Sequence, residues 1–167
     1  MATKFRIEHT WPVKREVVLA HLFDDELHDR CNVALSSADR SRVSVEHKEG
    51  GEVLQRFHVK VRDLPPGATK VLKPEVFEWD EESRWDPKGE TIHWRVLTQV
   101  MSNKIDCAGE LFYVAAGDQT RRVVEGRIEI KIPLAGKVAE KVIVGQLEKT
   151  YAELSTAESK YFSEQAG

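Results

Sequence analysis

The stretch Arg122-Val123-Val124-Glu125-Gly126-Arg127-Ile128-Glu129-Ile130-Lys131-Ile132-Pro133-Leu134 joins two kinds of structure in one run. Its even positions from Val124 onward are apolar or glycine, and its odd positions from Glu125 to Lys131 are charged. That alternation has a period of two, so it predicts a strand with one face buried and one face wet. Pro133 ends the alternation. From Leu134 to about Phe162 the apolar residues switch to helical spacing, through Ala135, Val138, Val142, Ile143, Leu147, Leu154, Ala157 and Tyr161. A long amphipathic helix must bury its stripe against another layer. Gly145, in mid-helix, costs roughly 1 kcal/mol relative to alanine, a cost that close packing or room for a ligand would explain.

Working outward, the rest of the chain reads as hairpins. Lys4–His9 alternates as a first strand, and Pro12 suits the first turn of a helix over Val13–Phe23. A second helical piece covers Asp25 to about Ala34, with Asp24 or Asp25 as its cap. Strands follow at Arg42–Lys48 and Val53–Val61 around the turn Glu49-Gly50-Gly51-Glu52, where adjacent glycines supply positive φ. Leu64–Lys73 is a loop or short helix whose Pro-Pro-Gly composition suits an entrance. Further strands are expected at Glu75–Trp85, Glu90–Val100, Ile105–Ala115 and Gln119–Ile132, turning at Asp86-Pro87-Lys88-Gly89 and at Gly117-Asp118. Successive hairpins imply an antiparallel meander. The expectation is therefore an α+β domain over residues 1–167: a curved seven-stranded antiparallel sheet wrapped around a C-terminal helix of about 134–162, with two short helices between strands 1 and 2.

Composition narrows the function classes. Charged residues are 32% and hydrophobic ones 41% of 167, with a net charge of −3, which is a globular balance. Basic residues are scattered among acids, so no nucleic-acid partner is expected. No run approaches the roughly 20 apolar residues of a transmembrane segment. Met1-Ala2-Thr3-Lys4-Phe5-Arg6 lacks the apolar core of a secretory signal, so a cytoplasmic location is expected. Cys31 and Cys107 are expected to be reduced, buried and small-hydrophobe in character.

Several motifs carry a family resemblance: Leu64-Pro65, Lys70, Trp79, Gly109-Glu110-Leu111, Thr120-Arg121, Gly126, and Ile132-Pro133-Leu134-Ala135-Gly136-Lys137 followed by Glu140-Lys141. The chain resembles the START-like, or Bet v 1-like, helix-grip superfamily, and within it the bacterial DUF2505-type branch. The resemblance implies a hydrophobic cavity between sheet and long helix. It implies no single reaction, because superfamily members bind lipids, sterols, quinones, hormones or polyketides and only some catalyse.

Projecting the alternation onto the concave face gives the candidate ligand-binding residues His9, His47, Gln55, Phe57, Trp79, Trp94, Tyr113, Arg122 and Ile128, with Val138 and Val142 facing them from the helix. Val43 and Val45 fall on the same face. Polar members of an apolar face need partners, from the protein or from a ligand's head group. The expected function is binding or transport of a hydrophobic small molecule, a lipid, isoprenoid or sterol-like compound, without a cofactor. The enzymatic alternative is a polyketide cyclase or dehydratase using His9 and Tyr113 as acid and base. A third reading is a protein-interaction scaffold with a filled core. No metal site is expected, since His28 and Cys31 lack converging ligands and no CxxC or HExxH occurs. Arg121-Arg122 and Lys14-Arg15 are the candidates for transient membrane contact.

Overall fold

The computed structural model describes residues 1–64, 66–71 and 73–167. The order is β1 (Thr3–Trp11), α1 (Arg15–Ala20), α2 (Asp25–Ala34), β2 (Ala38–His47), β3 (Val53–Val61), α3 (Ala68–Val71), a 3-10 turn (Pro74–Phe77), β4 (Glu78–Asp86), β5 (Thr91–Leu97), β6 (Ile105–Ala116), β7 (Gln119–Ile130) and α4 (Gly136–Ala166). The seven strands form one antiparallel sheet in the order β1-β7-β6-β5-β4-β3-β2. Every consecutive strand from β2 to β7 pairs with the next, and β1 closes onto β7. With α4 across the sheet and α1 and α2 between β1 and β2, this is the α+β helix-grip fold.

The strand-to-helix junction is tighter than its alternation suggests. β7 stops at Ile130, and Leu134 takes a left-handed φ of 67° before α4 begins. Gly136 must be glycine, because a Cβ there would lie 2.2 Å from the Ile130 carbonyl oxygen. Buried Glu140 pins the junction: its carboxylate accepts from the Ile130 N–H at 3.1 Å, from Lys137 Nζ at 3.1 Å and from the Thr3 hydroxyl. Burial alone would raise the Glu140 pKa, but these donors outweigh it and hold the carboxyl below its ordinary range.

Several expectations shift on structural grounds. β1 continues to Trp11, which pairs with Thr120, so Pro12 precedes α1 without entering it. Asp24 does sit at the α2 N-cap, but its side chain accepts from the Tyr161 hydroxyl at 2.6 Å and pairs with His21 Nδ1 at 2.7 Å. The start of α2 is thus tied to the end of α4. β2 begins four residues earlier than the Arg42 expected and is interrupted between Arg42 and Ser44. The interruption is a β-bulge, in which one extra residue reverses the inward parity. Arg40 and Arg42 face inward before it, opposite Val59 and Phe57, and Val43 is expelled to 61% exposure. Residues 74–77 form the 3-10 turn with Pro74 at its start, not strand. The expected entrance segment Leu64–Lys73 includes Pro65 and Leu72, which lie outside the described residues.

On α4, Val138 is 52% exposed and faces away from Ile128, correcting its assignment to the cavity wall. Neighbouring Ala139 is fully buried and sets the helix face, and Val138 lies about 100° round from it. Gly145 is exposed, and a Cβ there would meet nothing within 4 Å. Neither close packing nor ligand space accounts for this glycine. Gly145→Ala should therefore stabilise the protein by about 1 kcal/mol, read as a higher denaturant midpoint at unchanged m-value. An unchanged midpoint would show that the helix is already strained there.

Candidate ligand cavity

One row of residues in register across the sheet builds the cavity floor. It runs Gln55, Ser83, Trp94, Gly109, Gly126 and Phe5 over six strands. The two glycines leave a bare patch that the Trp94 indole covers. A Cβ on either would come within 2.7 Å of Trp94 Cζ2. Phe5 closes the far side, with ring centroids 6.1 Å apart. The indole could not lie there over any other pair of residues.

Above this row an internal space of about 90 Å³ remains. Gln55, Phe57, Trp94, Leu111, Tyr113 and Arg122 line it from the sheet; His28 and Cys31 line it from α2; Tyr151, Leu154 and Glu158 line it from α4. A second hollow of about 20 Å³ lies beside Phe77, Trp79 and Ile143. The two share Arg40, Glu81, Tyr151 and Leu154 in their walls. Arg40 covers the Phe57 ring at 3.7 Å and pairs with Glu81 at 3.6 Å. A larger hollow of about 770 Å³ lies on the sheet's outer face, but it is open to solvent. Its charges already pair with one another, as in Arg95–Glu82 at 2.7 Å and Arg56–Glu82 at 3.5 Å.

Arg122 is the most heavily engaged side chain in the cavity. It is 1% exposed, forms an ion pair with Glu158, and donates from Nη2 to the Tyr151 carbonyl at 3.1 Å and to His9 Nδ1 at 3.2 Å. Its guanidinium lies 5.0 Å from the Trp11 ring and 5.2 Å from the Tyr151 ring. A buried guanidinium needs this much partnering. Even so, Arg122 Nε has no partner, and neither do Trp94 Nε1 and His28 Nε2. These are the three buried side-chain polar atoms without a hydrogen bond among the described residues, and all belong to residues lining this one cavity.

Their chemistry is complementary. Trp94 Nε1 and Arg122 Nε are donors. Burial, with Arg42 and Arg40 nearby, pushes His28 down to about 4, so its ring is neutral at neutral pH. A neutral imidazole carries one N–H and one bare nitrogen, so the unpartnered Nε2 can meet either an acceptor or a donor. Burial also raises the Tyr113 and Tyr151 hydroxyls far above their ordinary values and the Cys31 thiol to about 12. These groups are moved away from neutrality, the opposite of what acid-base catalysis at neutral pH needs.

The anticipated residues divide accordingly. Gln55, Phe57, Trp94, Tyr113 and Arg122 line the larger space, and Trp79 lines the smaller one. Ile128 is 1% exposed and packs with Val142 in the core around Trp79. His9 lies behind Arg122, outside both linings, so His9 and Tyr113 do not face a common substrate. His47 is exposed at the end of the edge strand, its ring edge-on to Phe23 at 6.2 Å. Among the missed residues, Tyr151, Leu154 and Glu158 share helical spacing with Leu147, a pattern that marks one face even when one member is charged. Ser83 and Glu81 are legible from strand register, and Arg40 only once the bulge is known. No group of three or more His, Cys, Asp or Glu placed to hold a metal ion occurs among the described residues.

Solved structures share this fold at low identity. The protein TTHA0849 from Thermus thermophilus matches with a TM-score of 0.64 at 18% identity, over 99% of this chain and 100% of that one. The Zhui aromatase/cyclase from Streptomyces sp. R1128 matches with a TM-score of 0.67 at 13% identity, over 100% and 97%. Norcoclaurine synthase from Thalictrum flavum matches with a TM-score of 0.63 at 16% identity, over 98% and 88%. No curated protein matches the chain. The family described as "Protein of unknown function (DUF2505)" matches residues 6–161. The sheet and its gripped helix are the fold of these structures, and with the family match running over residues 6–161 the chain belongs to the DUF2505 family.

Proposed function

We propose that the protein binds an apolar small molecule through a polar oxygen seated among Trp94, Arg122 and His28. The observation that carries this reading is that all three unpartnered buried atoms belong to residues lining one cavity. Two donors suit a carbonyl or carboxylate oxygen, and His28 Nε2 suits an adjacent hydroxyl, which can donate or accept. Leaving such groups unpaired costs about 1–3 kcal/mol each, so a ligand or water that meets them is favoured. The space of about 90 Å³ corresponds to roughly three waters. Drug-sized ligands occupy about 300–1,000 Å³. The second hollow is smaller still, so a lipid, isoprenoid or sterol-like ligand that places its polar end here must also displace the Tyr151 and Leu154 side chains between the two hollows and widen the cavity. Norcoclaurine synthase, of the same fold, is solved in complex with dopamine and hydroxybenzaldehyde, which supports a small-molecule site, and the moved-away titrations above favour binding over acid-base turnover in this chain.

Binding of a ketone-bearing naphthalene dye tests the reading by fluorescence titration. Saturable binding is expected, weakened at least about fivefold in Trp94→Phe and in His28→Leu, with thermal stability held. No saturable binding, or equal affinity in all three proteins, would contradict it.

A further inference from the structure

The overall charge of −3 conceals a polarised molecule. Antiparallel pairing puts the β3–β4, β5–β6 and β7–α4 connections at one end of the sheet. That end carries Lys70, Lys73, Lys104, Lys131, Lys137 and Lys141, all exposed. Of its acids, Glu140 is buried, Glu129 is held by the Met1 amino group at 3.5 Å, and Asp106, Glu78 and Asp39 pair with Arg127, His58 and Arg62, which leaves Asp63 and Glu75. The opposite end, at the hairpin turns, is balanced: Glu52, Glu90 and Asp118 pair with Arg84, Arg15 and Lys14, and Glu49 and Asp86 stand against Lys48 and Lys88.

At the tip of the basic end sits an apolar side chain that the fold does not use. Leu134 is fully exposed and has a φ of 67°. A bulky residue in the left-handed region is a backbone outlier, and here no packing compensates for it. Val138, one turn into α4, is 52% exposed and Met1 is 97% exposed. The Lys131 N–H donates to the Lys104 carbonyl at 2.8 Å, and Lys137 Nζ donates to the Met1 carbonyl. Lysines and tip are therefore held on one surface. By contrast, the basic pairs singled out from the sequence are occupied: Arg122 is buried, and Arg15 donates to the Tyr113 carbonyl at 2.8 Å.

We propose that this end docks on a membrane surface carrying anionic lipid, with Leu134 entering the headgroup layer and the exposed Lys70, Lys73, Lys104, Lys131 and Lys141 facing lipid phosphates and carboxylates. The cluster has the size of juxtamembrane basic patches that bind acidic leaflets. The protruding leucine favours a lipid surface over a nucleic acid, whose phosphates offer it nothing. This docking does not depend on the cavity having a ligand.

The test is co-sedimentation of the full chain with phosphatidylcholine vesicles, with and without phosphatidylserine, at low salt. Binding is expected only with phosphatidylserine, and raised salt should abolish it. Each lysine contributes roughly fivefold, so the triple variant Lys104→Glu, Lys131→Glu, Lys141→Glu should lose at least about 100-fold. Lys48→Glu with Lys88→Glu, at the other end, should leave binding unchanged. Leu134→Asn suits the left-handed backbone, so its Tm should be equal or higher while binding falls about tenfold. Equal binding to neutral vesicles, indifference to the triple reversal, or retention of a duplex oligonucleotide without vesicle binding would overturn the proposal.

Discussion

Glu158→Ala is expected to destabilise the protein by about 3–5 kcal/mol, although Glu158 is a charged residue near the end of a helix. The reason is its partner. Arg122 is 1% exposed and Glu158 14% exposed, so the alanine leaves a guanidinium in the core without its counter-charge. His9 and the Tyr151 carbonyl are neutral acceptors and cannot replace it. Burial, followed by Arg122 itself, holds the His9 pKa below its ordinary value, so His9 adds no charge of its own at neutral pH. Replacing both members, as Arg122→Met with Glu158→Leu, should recover most of the loss, because a packed apolar pair of similar size is commonly as stable as a buried ion pair. Equilibrium urea unfolding measures both. A Glu158→Ala loss below about 1 kcal/mol would show that the pair behaves as a solvated surface bridge.

The second large effect separates two glycines that look alike in sequence. Gly109 and Gly126 are direct partners across β6 and β7. A Cβ on Gly109 would stand 2.0 Å from the Glu125 carbonyl oxygen and 2.6 Å from Gly126 Cα, both backbone atoms of the paired strand. Only separation of the strands relieves that, so Gly109→Ala is expected to cost at least about 3 kcal/mol. The three atoms nearest a Cβ on Gly126 are all in side chains, Phe5 Cζ at 2.6 Å and Trp94 Cζ2 and Cη2 at 2.7 and 2.9 Å. Gly126→Ala should cost less and be largely rescued by Trp94→Leu, whereas Gly109→Ala should not be. A double-mutant cycle reads the difference. Equal rescue at both positions would contradict the geometry.

How much of this was legible follows from which rule governs each residue. Val53–Val61 and Asp25–Ala34 match their elements end to end, because unbroken alternation and helical spacing leave little choice there. β2 was legible from Val45 to His47 but not back through Arg42 to Ala38, because a bulge is one residue long and alternation alone cannot show it. On that error hung the placement of Val43 and the absence of Arg40 from the candidate site. Trp94, Tyr113 and Arg122 were found because parity fixes which way a strand residue points. His28, Tyr151 and Glu158 were missed because a helix can turn any face inward, and packing with the sheet decides which. Val138 shows the same limit from the other side: its apolar side chain fits the stripe, yet Ala139 took the buried position.

On the proposed function, a ligand oxygen completes the hydrogen bonding of Trp94 and Arg122 in the cavity. Titration of the isotopically labelled protein with cyclohexanone, followed through the indole and guanidinium N–H resonances, tests it at the atoms concerned. Trp94 Nε1–H and Arg122 Nε–H should move downfield and saturate together. Trp11 Nε1–H, already bonded to Ser155 at 2.9 Å, should stay in place. Small, unsaturable shifts of equal size at both tryptophans would contradict the account.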